Sequence, residues 1–251
     1  MQLLQLNKNT LIIIVAIFVT AVFFTWGDIT IPVLNRNVDA LVQKGNYYFN
    51  VNGAGIYDLE RAEKYFEKAL DVDANVPDAW HQLARIDFLR GDFDEALEKI
   101  NTQIAIHGDS LMSSFYIRGL ILGYMGRYEE SEKDFLKFLE WDPTNWAAHN
   151  DLAWVYFSEG RFEDAADAAQ EGLQNNPQNP WLLNMYGVSL MNLGDDIGAK
   201  NALQKAYAAA ELLTESTWHW AYPGNNPMSA TKGLKEFQEA IRKNLQLVGG
   251  N

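Results

Sequence analysis

The most apolar stretch of the chain lies near its amino terminus. Nineteen uncharged residues run from Asn9 to Gly27, and the centre of this run has no polar face. As a helix rising about 1.5 Å per residue, the run is roughly 28 Å long, close to the hydrocarbon thickness of a bilayer. Trp26, near the end of this run, lies where an aromatic residue is expected at a membrane interface. The pattern predicts a transmembrane anchor within residues 1–27, preceded by a short tail.

The charges around this segment predict its orientation. Lys8 and the amino group make the tail basic, so the positive-inside rule keeps the tail in the cytoplasm and places the rest of the chain outside. Val19, Thr20 and Ala21 form a candidate cleavage site, which leaves a secreted chain without its signal peptide as the alternative. The apolar run continues past these residues, which favours a single-pass membrane protein. Residues 28–36 are then a linker to an extracytoplasmic domain.

From residue 37 onward, apolar positions recur at helical spacing in units of about 34 residues. Four glycines are 35, 34 and 34 residues apart, namely Gly91, Gly126, Gly160 and Gly194. Each has a small residue seven positions earlier (Ala84, Gly119, Ala153, Gly187) and another five positions later (Ala96, Ser131, Ala165, Ala199). A left-handed glycine ends a helix readily, and small residues let two helices approach closely. The pattern therefore predicts hairpins of antiparallel helices.

These residues, with an earlier copy at Gly45, Tyr48, Ala62, Phe66 and Ala69, resemble the tetratricopeptide repeat (TPR) family. The resemblance covers about 70% of the chain. It implies an all-α fold, a right-handed α-solenoid of about five hairpins, whose first helices line a concave groove that binds a peptide or partner helix. The five units are about 37–75, 76–110, 111–144, 145–178 and 179–213.

The last part of the chain, residues 214–251, is predicted to close the array. The ends of a repeat array need a cap, and one helical stripe here is apolar: Leu234, Phe237, Ala240, Ile241 and Leu245. An aromatic loop with Trp218, Trp220 and Tyr222 precedes this capping helix. The loop has two interpretations: its rings anchor the cap by packing, or they form a stacking platform for a sugar or a proline-rich strand.

Composition and charge exclude several functions. The chain has no cysteine, and its net charge of −13 disfavours nucleic-acid binding. None of the four histidines is paired at metal-binding spacing, and no phosphate-loop or nucleophile-elbow motif occurs. The sequence therefore predicts a protein that is not an enzyme and has no cofactor or metal site. Its acidic surface favours a basic protein or peptide partner.

One face of the first helices is predicted to form the partner-binding groove. The inward positions combine aromatic rings with amide and basic side chains, a mixture suited to extended peptides. The predicted groove residues are Asn46, His81, Arg85, Tyr116, Tyr124, Asn150, Trp154 and Asn184. Phe49, Phe88 and Phe157 share these faces; for Phe88, Phe157 and Trp154, packing inside the superhelix is an equal alternative.

The function predicted from these features is a membrane-tethered TPR scaffold that mediates protein–protein interactions, with the assembly of an envelope complex as its candidate role. Tethering would raise the local concentration of the groove for partners at the same membrane. The alternative is a glycan or small-ligand binding module that uses Trp218, Trp220 and Tyr222.

Overall fold

The computed structural model describes residues 37–50, 55–221 and 230–249. Within these ranges the chain forms helices and no strand, so the predicted all-α fold is confirmed. The helices are α1 (37–48), α2 (Leu59–Val72), α3 (Ala79–Arg90), α4 (Phe93–His107), α5 (Ser113–Tyr124), α6 (Tyr128–Trp141), α7 (Trp146–Ser158), α8 (Phe162–Asn175), α9 (Pro180–Asn192), α10 (Asp196–Ala210), α11 (Glu215–Ala221) and α12 (Ala230–Gly249). A 3₁₀ turn, Gly108–Leu111, connects α4 to α5.

The predicted membrane anchor, Asn9–Gly27, lies outside the described residues, as does the linker 28–36. Of the helices in the described ranges, none is both long and apolar enough to cross a bilayer. The anchor therefore stays a prediction from the sequence.

Each glycine singled out by the period ends the first helix of a hairpin. Their φ angles are 87° at Gly91, 74° at Gly126, 80° at Gly160 and 80° at Gly194. In the first of these turns, the Asp92 amide donates to the Asp87 carbonyl at 3.0 Å, which satisfies an otherwise free end of α3. The turn needs a residue without Cβ, because a side chain is strained at such angles.

The recurring small residues lie where the two helices of a hairpin touch. The side chains of Ala62, Ala96, Ser131, Ala165 and Ala199 are all fully buried. A Cβ on Gly119 would lie 3.2 Å from the Phe135 ring, so this ring packs directly on the backbone of α5. The period therefore marks helix–helix contacts, and the solenoid of helical hairpins is confirmed. Its right-handed sense stays a prediction.

Apolar clusters join each hairpin to the next. The central cluster combines Phe135 and Phe138 of α6 with Leu152 of α7 and Leu182 of α9. These side chains are at most 5% exposed. Because a single cluster spans three hairpins, neighbouring repeats supply the core that no hairpin has alone. The first helices α3, α5, α7 and α9 are held side by side in this way.

The final helix, α12, packs against α10 and α9. Leu234, Ile241 and Val248 are its buried apolar residues. The Phe237 ring stacks on Trp181 of α9, with ring centres 5.2 Å apart. The predicted stripe was wrong at Ala240, which is exposed, because the buried stripe passes beside this position and ends at Val248.

Candidate binding groove

A cavity of about 520 Å³ opens between the first helices of successive hairpins, α3, α5 and α7, with one side chain from α9. We refer to it as the central groove. The residues that line it are His81, Arg85, Phe88, Leu89, Ser113, Tyr116, Ile117, Leu120, Tyr124, Asn150, Asp151, Trp154 and Met185. A cavity of this size accommodates several side chains of a bound segment.

Aromatic rings form a continuous wall along the central groove. The ring centre of Tyr124 lies 5.1 Å from that of Phe88 and 5.1 Å from that of Trp154. Phe93 supports this wall from behind, 5.7 Å from Phe88. Tyr124 is 57% exposed, so the wall presents an aromatic surface to solvent. Such rings provide a large apolar contact area together with a polar hydroxyl group.

A carboxylate lies at the floor of the groove, on α7. Asp151 is 7% exposed. Its Oδ2 accepts a hydrogen bond from the Tyr116 hydroxyl at 2.6 Å, and its Oδ1 accepts one from the Asn150 amide at 3.2 Å. Burial raises the pKa of Asp151 to about 6, and the two hydrogen bonds oppose this rise only in part. At pH 7 the floor therefore carries a negative charge.

Two basic side chains of α3, Arg85 and His81, line the other end of the central groove. The Arg85 guanidinium lies 4.7 Å from the Phe49 ring centre and donates to Gln82 Oε1 at 2.8 Å. Burial lowers the pKa of Arg85 to about 10, so it stays charged at neutral pH. His81 Nδ1 is 3.2 Å from Ser114 Oγ. Burial, helped by the Arg85 charge, lowers the pKa of His81 to about 3, so its imidazole is neutral.

The structure brings most of the predicted groove residues together. Those that line the central groove are His81, Arg85, Tyr116, Tyr124, Asn150 and Trp154. Asn46, half-buried on α1, is not among its lining residues. Asn184 accepts a hydrogen bond from Asn244 of α12 at 3.2 Å, so the last helix engages it. Phe49 is fully buried, and Phe157 packs against Phe162 with ring centres 5.2 Å apart.

Six lining residues were not predicted from the sequence, namely Leu89, Ser113, Ile117, Leu120, Asp151 and Met185. Three of these, Ile117, Asp151 and Met185, occupy equivalent positions in successive repeats. Each directly follows a predicted or inward-facing residue of its helix, about 100° further around the helix axis. One signal was available: in successive repeats this position holds Gln82, Ile117, Asp151 and Met185. Asp151 is thus the one acid at a position that is otherwise neutral.

The aromatic loop is described in part. Trp218 of α11 packs on α12 so closely that a Cβ on Gly233 would overlap its indole ring. This contact supports the packing interpretation for Trp218. Tyr222 and the side chain of Trp220 lie outside the described residues. The stacking platform stays a prediction.

Several charged groups away from the groove form ion pairs. Arg118 makes a two-point contact with Asp134 at 2.6 and 2.8 Å, and Arg161 joins Glu132 and Asp164, each at 2.7 Å. Across the described ranges, no three His, Asp or Glu side chains approach closely enough to hold a metal ion. That the protein is not an enzyme stays a prediction.

Stacked helical hairpins with a groove between their first helices define an α-solenoid repeat protein. Family models described as tetratricopeptide repeat match residues 57–115 and 117–180. The chain therefore contains tetratricopeptide repeats, which confirms the resemblance seen in its glycine and small-residue pattern.

Solved structures share this fold. A crystal structure of MamA protein is 17% identical, with 70% of this chain and 93% of that chain covered and a TM-score of 0.59. MamA from Desulfovibrio magneticus RS-1 is 16% identical, with 70% and 94% covered and a TM-score of 0.58. YrrB, described as a TPR protein with an unusual peptide-binding site, is 18% identical, with 67% and 84% covered and a TM-score of 0.55. At these identities the likeness concerns the fold alone.

A curated relative is similar in sequence over part of its length. Protein FlbA of Caulobacter vibrioides is 26% identical over 156 residues, which cover 59% of this chain and 25% of FlbA. This chain therefore matches about a quarter of the length of that relative.

Proposed function

We propose that this protein is a membrane-tethered TPR scaffold that binds a peptide or helix of a partner protein in its central groove. The observation that carries the proposal is the cavity of about 520 Å³ between α3, α5 and α7, with an aromatic wall and a polar floor. The fold that this chain shares with YrrB, a TPR protein with a peptide-binding site, supports it.

The chemistry of the groove suits a peptide. Binding is favoured when a partner side chain removes an exposed ring such as Tyr124 from water. Arg85 and Asp151 supply opposite charges on different helices. Apolar area thus provides affinity, while the polar groups fix the orientation of the bound segment.

The tether rests on the apolar run Asn9–Gly27, and its basic tail supports an extracytoplasmic repeat domain. The remainder of the chain carries a net charge of −14, which would favour a basic partner and speed its association. We propose that the partner is a component of an envelope complex, held near the bilayer with the groove.

Partner capture by groove variants tests the binding role. Proteins crosslinked to the full chain in intact membranes are identified for the wild type and for a double variant, Tyr124→Ala with Asn150→Ala. The matched control is Trp141→Ala, since Trp141 is 63% exposed on α6 and does not line the groove. We expect the double variant alone to lose its partner with its helical content unchanged. If the double variant captures the partner as well as the wild type does, partner binding in the central groove is contradicted.

Membrane extraction tests the tether separately. Ile14→Arg places a charge inside the apolar run, where it disfavours insertion by at most the cost at a helix centre, about 2.5–3.5 kcal/mol. Gln5→Arg, outside the run, is the control. We expect alkaline carbonate to leave the wild type and the control in the membrane pellet and to release the Ile14 variant. Release of the wild type by the same wash would argue against the anchor.

A further inference from the structure

Asp151 is a buried carboxylate without a cationic partner of its own. Its pKa is set by burial and by hydrogen bonds from two neutral donors, Tyr116 and Asn150. Among the described residues, no Lys, Arg or His forms an ion pair with it. Acidic side chains are rarely buried unless they are paired, because neutral hydrogen bonds do not cancel the charge. The negative charge of Asp151 is therefore not balanced by a positive charge among the described residues.

The nearest basic groups of the groove do not complete it. Arg85 lies on α3, with α5 between it and α7, and its guanidinium is directed over Phe49 of the first hairpin. His81, on the same helix, is neutral because of its burial. On the other side, α9 contributes Met185 to the groove. Within the part of the chain that the structure describes, the charge of Asp151 thus faces the cavity and not a basic side chain.

Aromatic rings border the same part of the groove. Trp154 follows Asp151 by three residues and so lies on the same side of α7. Tyr124 contacts Trp154 and leads to the groove entrance, and Tyr116 binds the carboxylate directly. Rings attract a cation placed over their faces and also cover the methylene groups behind it. A carboxylate with such walls is suited to an ammonium or guanidinium group on an aliphatic stem.

We propose that the central groove receives a Lys or Arg side chain of the bound segment, with Asp151 as its anionic partner and Trp154 and Tyr124 alongside its stem. This inference rests on the proposed peptide-binding function and specifies the residue that the groove selects. Because the corresponding residues of the neighbouring repeats are Ile117 and Met185, one position of the segment is selected. A single basic residue would therefore fix the register of the bound segment.

The test compares three pools of acetylated and amidated nonapeptides, degenerate at eight positions and fixed at the centre as Lys, norleucine or Glu. Norleucine keeps an aliphatic stem like that of Lys but has no charge. Retention is measured on the immobilised full chain. We expect the Lys pool to be retained about tenfold better than the norleucine pool, as for a hydrogen bond to a charged group. The Glu pool should be retained least.

Two variants assign the preference to the carboxylate. Asp151→Asn should lower retention of the Lys pool to the norleucine level, with retention of the norleucine pool unchanged. Asp167→Asn, which removes one charge from the exposed face of α8, should keep the preference. Circular dichroism verifies that each variant is folded.

The outcomes separate this inference from the function on which it rests. If the wild type retains all three pools equally, or if Asp151→Asn keeps the Lys preference, the basic-residue pocket is overturned and peptide binding stands. If the wild type retains none of the three pools, both the pocket and peptide binding in the groove are overturned.

Discussion

Replacing Asp151 with asparagine should make the unliganded protein more stable at neutral pH. The carboxylate is nearly fully buried, and its hydrogen-bond donors are the neutral groups of Tyr116 and Asn150. Burial raises the pKa of Asp151 from 3.8 to about 6 on folding. Ionisation therefore works against the folded state, and a neutral amide of the same shape removes that cost.

The sign and magnitude follow from proton binding. Between pH 3.8 and about 6 the folded protein holds more protons than the unfolded chain, so Asp151 lowers the free energy of unfolding as the pH rises through this window. A pKa difference of about two units corresponds to about 3 kcal/mol above this window. The variant keeps an oxygen for Tyr116, but its amide must rearrange beside Asn150, which costs about 1 kcal/mol. We expect a net gain of about 2 kcal/mol near pH 7.5.

Urea unfolding followed by circular dichroism measures this gain. The free energies of unfolding of the wild type and of Asp151→Asn should differ most near pH 7.5 and converge towards pH 4. Asp167→Asn, at an exposed site of α8, should follow the wild type throughout. A variant that is less stable than the wild type near pH 7.5 would refute the assignment of an uncompensated charge to the groove floor.

Three further predictions concern stability, each measured by urea unfolding. His81→Gln should reduce the loss of stability in acid, because the pKa of His81 is about 3 in the folded protein and 6.5 in the unfolded chain. The free energy of unfolding of the wild type therefore falls as the pH drops from 6.5 to about 3. An equal fall in the wild type and the variant would contradict this. Phe135→Ala should cost about 3–5 kcal/mol and the exposed neighbour Leu136→Ala under about 1 kcal/mol, and similar costs would argue against the core assignment. Gly126→Ala should cost about 1 kcal/mol because φ is 74°, and no change would contradict the left-handed turn.

The repeat architecture could be predicted from the sequence because its determinants are local. Gly91 and its equivalents end helices through their own backbone conformation, and Gly119 faces Phe135 only 16 positions later. Such short-range requirements recur at every unit and so appear as a period in the sequence. The same regularity placed Tyr116, Asn150 and similar inward positions in one groove.

The remaining features depend on contacts that no period records. Asn184 is engaged by Asn244, which lies 60 residues later on α12, so its equivalence to Asn150 did not place it in the cavity. Asp151 lines the groove beside Asn150, as Ile117 does beside Tyr116, so the face that each of these helices turns to the cavity is wider than the single predicted position. Similarly, the rotation of α12 buries Val248 and leaves Ala240 exposed. These orientations are set by packing between elements, which a single sequence does not state.

Site-specific photocrosslinking in intact cells tests the central claim most directly. A benzophenone amino acid replaces Tyr124 at the exposed edge of the groove in one chain and Trp141, 63% exposed on α6, in another. The account predicts that one partner protein is crosslinked from the Tyr124 site, that the Trp141 site gives no such adduct, and that the crosslinked peptide contains a Lys or Arg. A partner captured from the Trp141 site but not from the Tyr124 site would contradict the account.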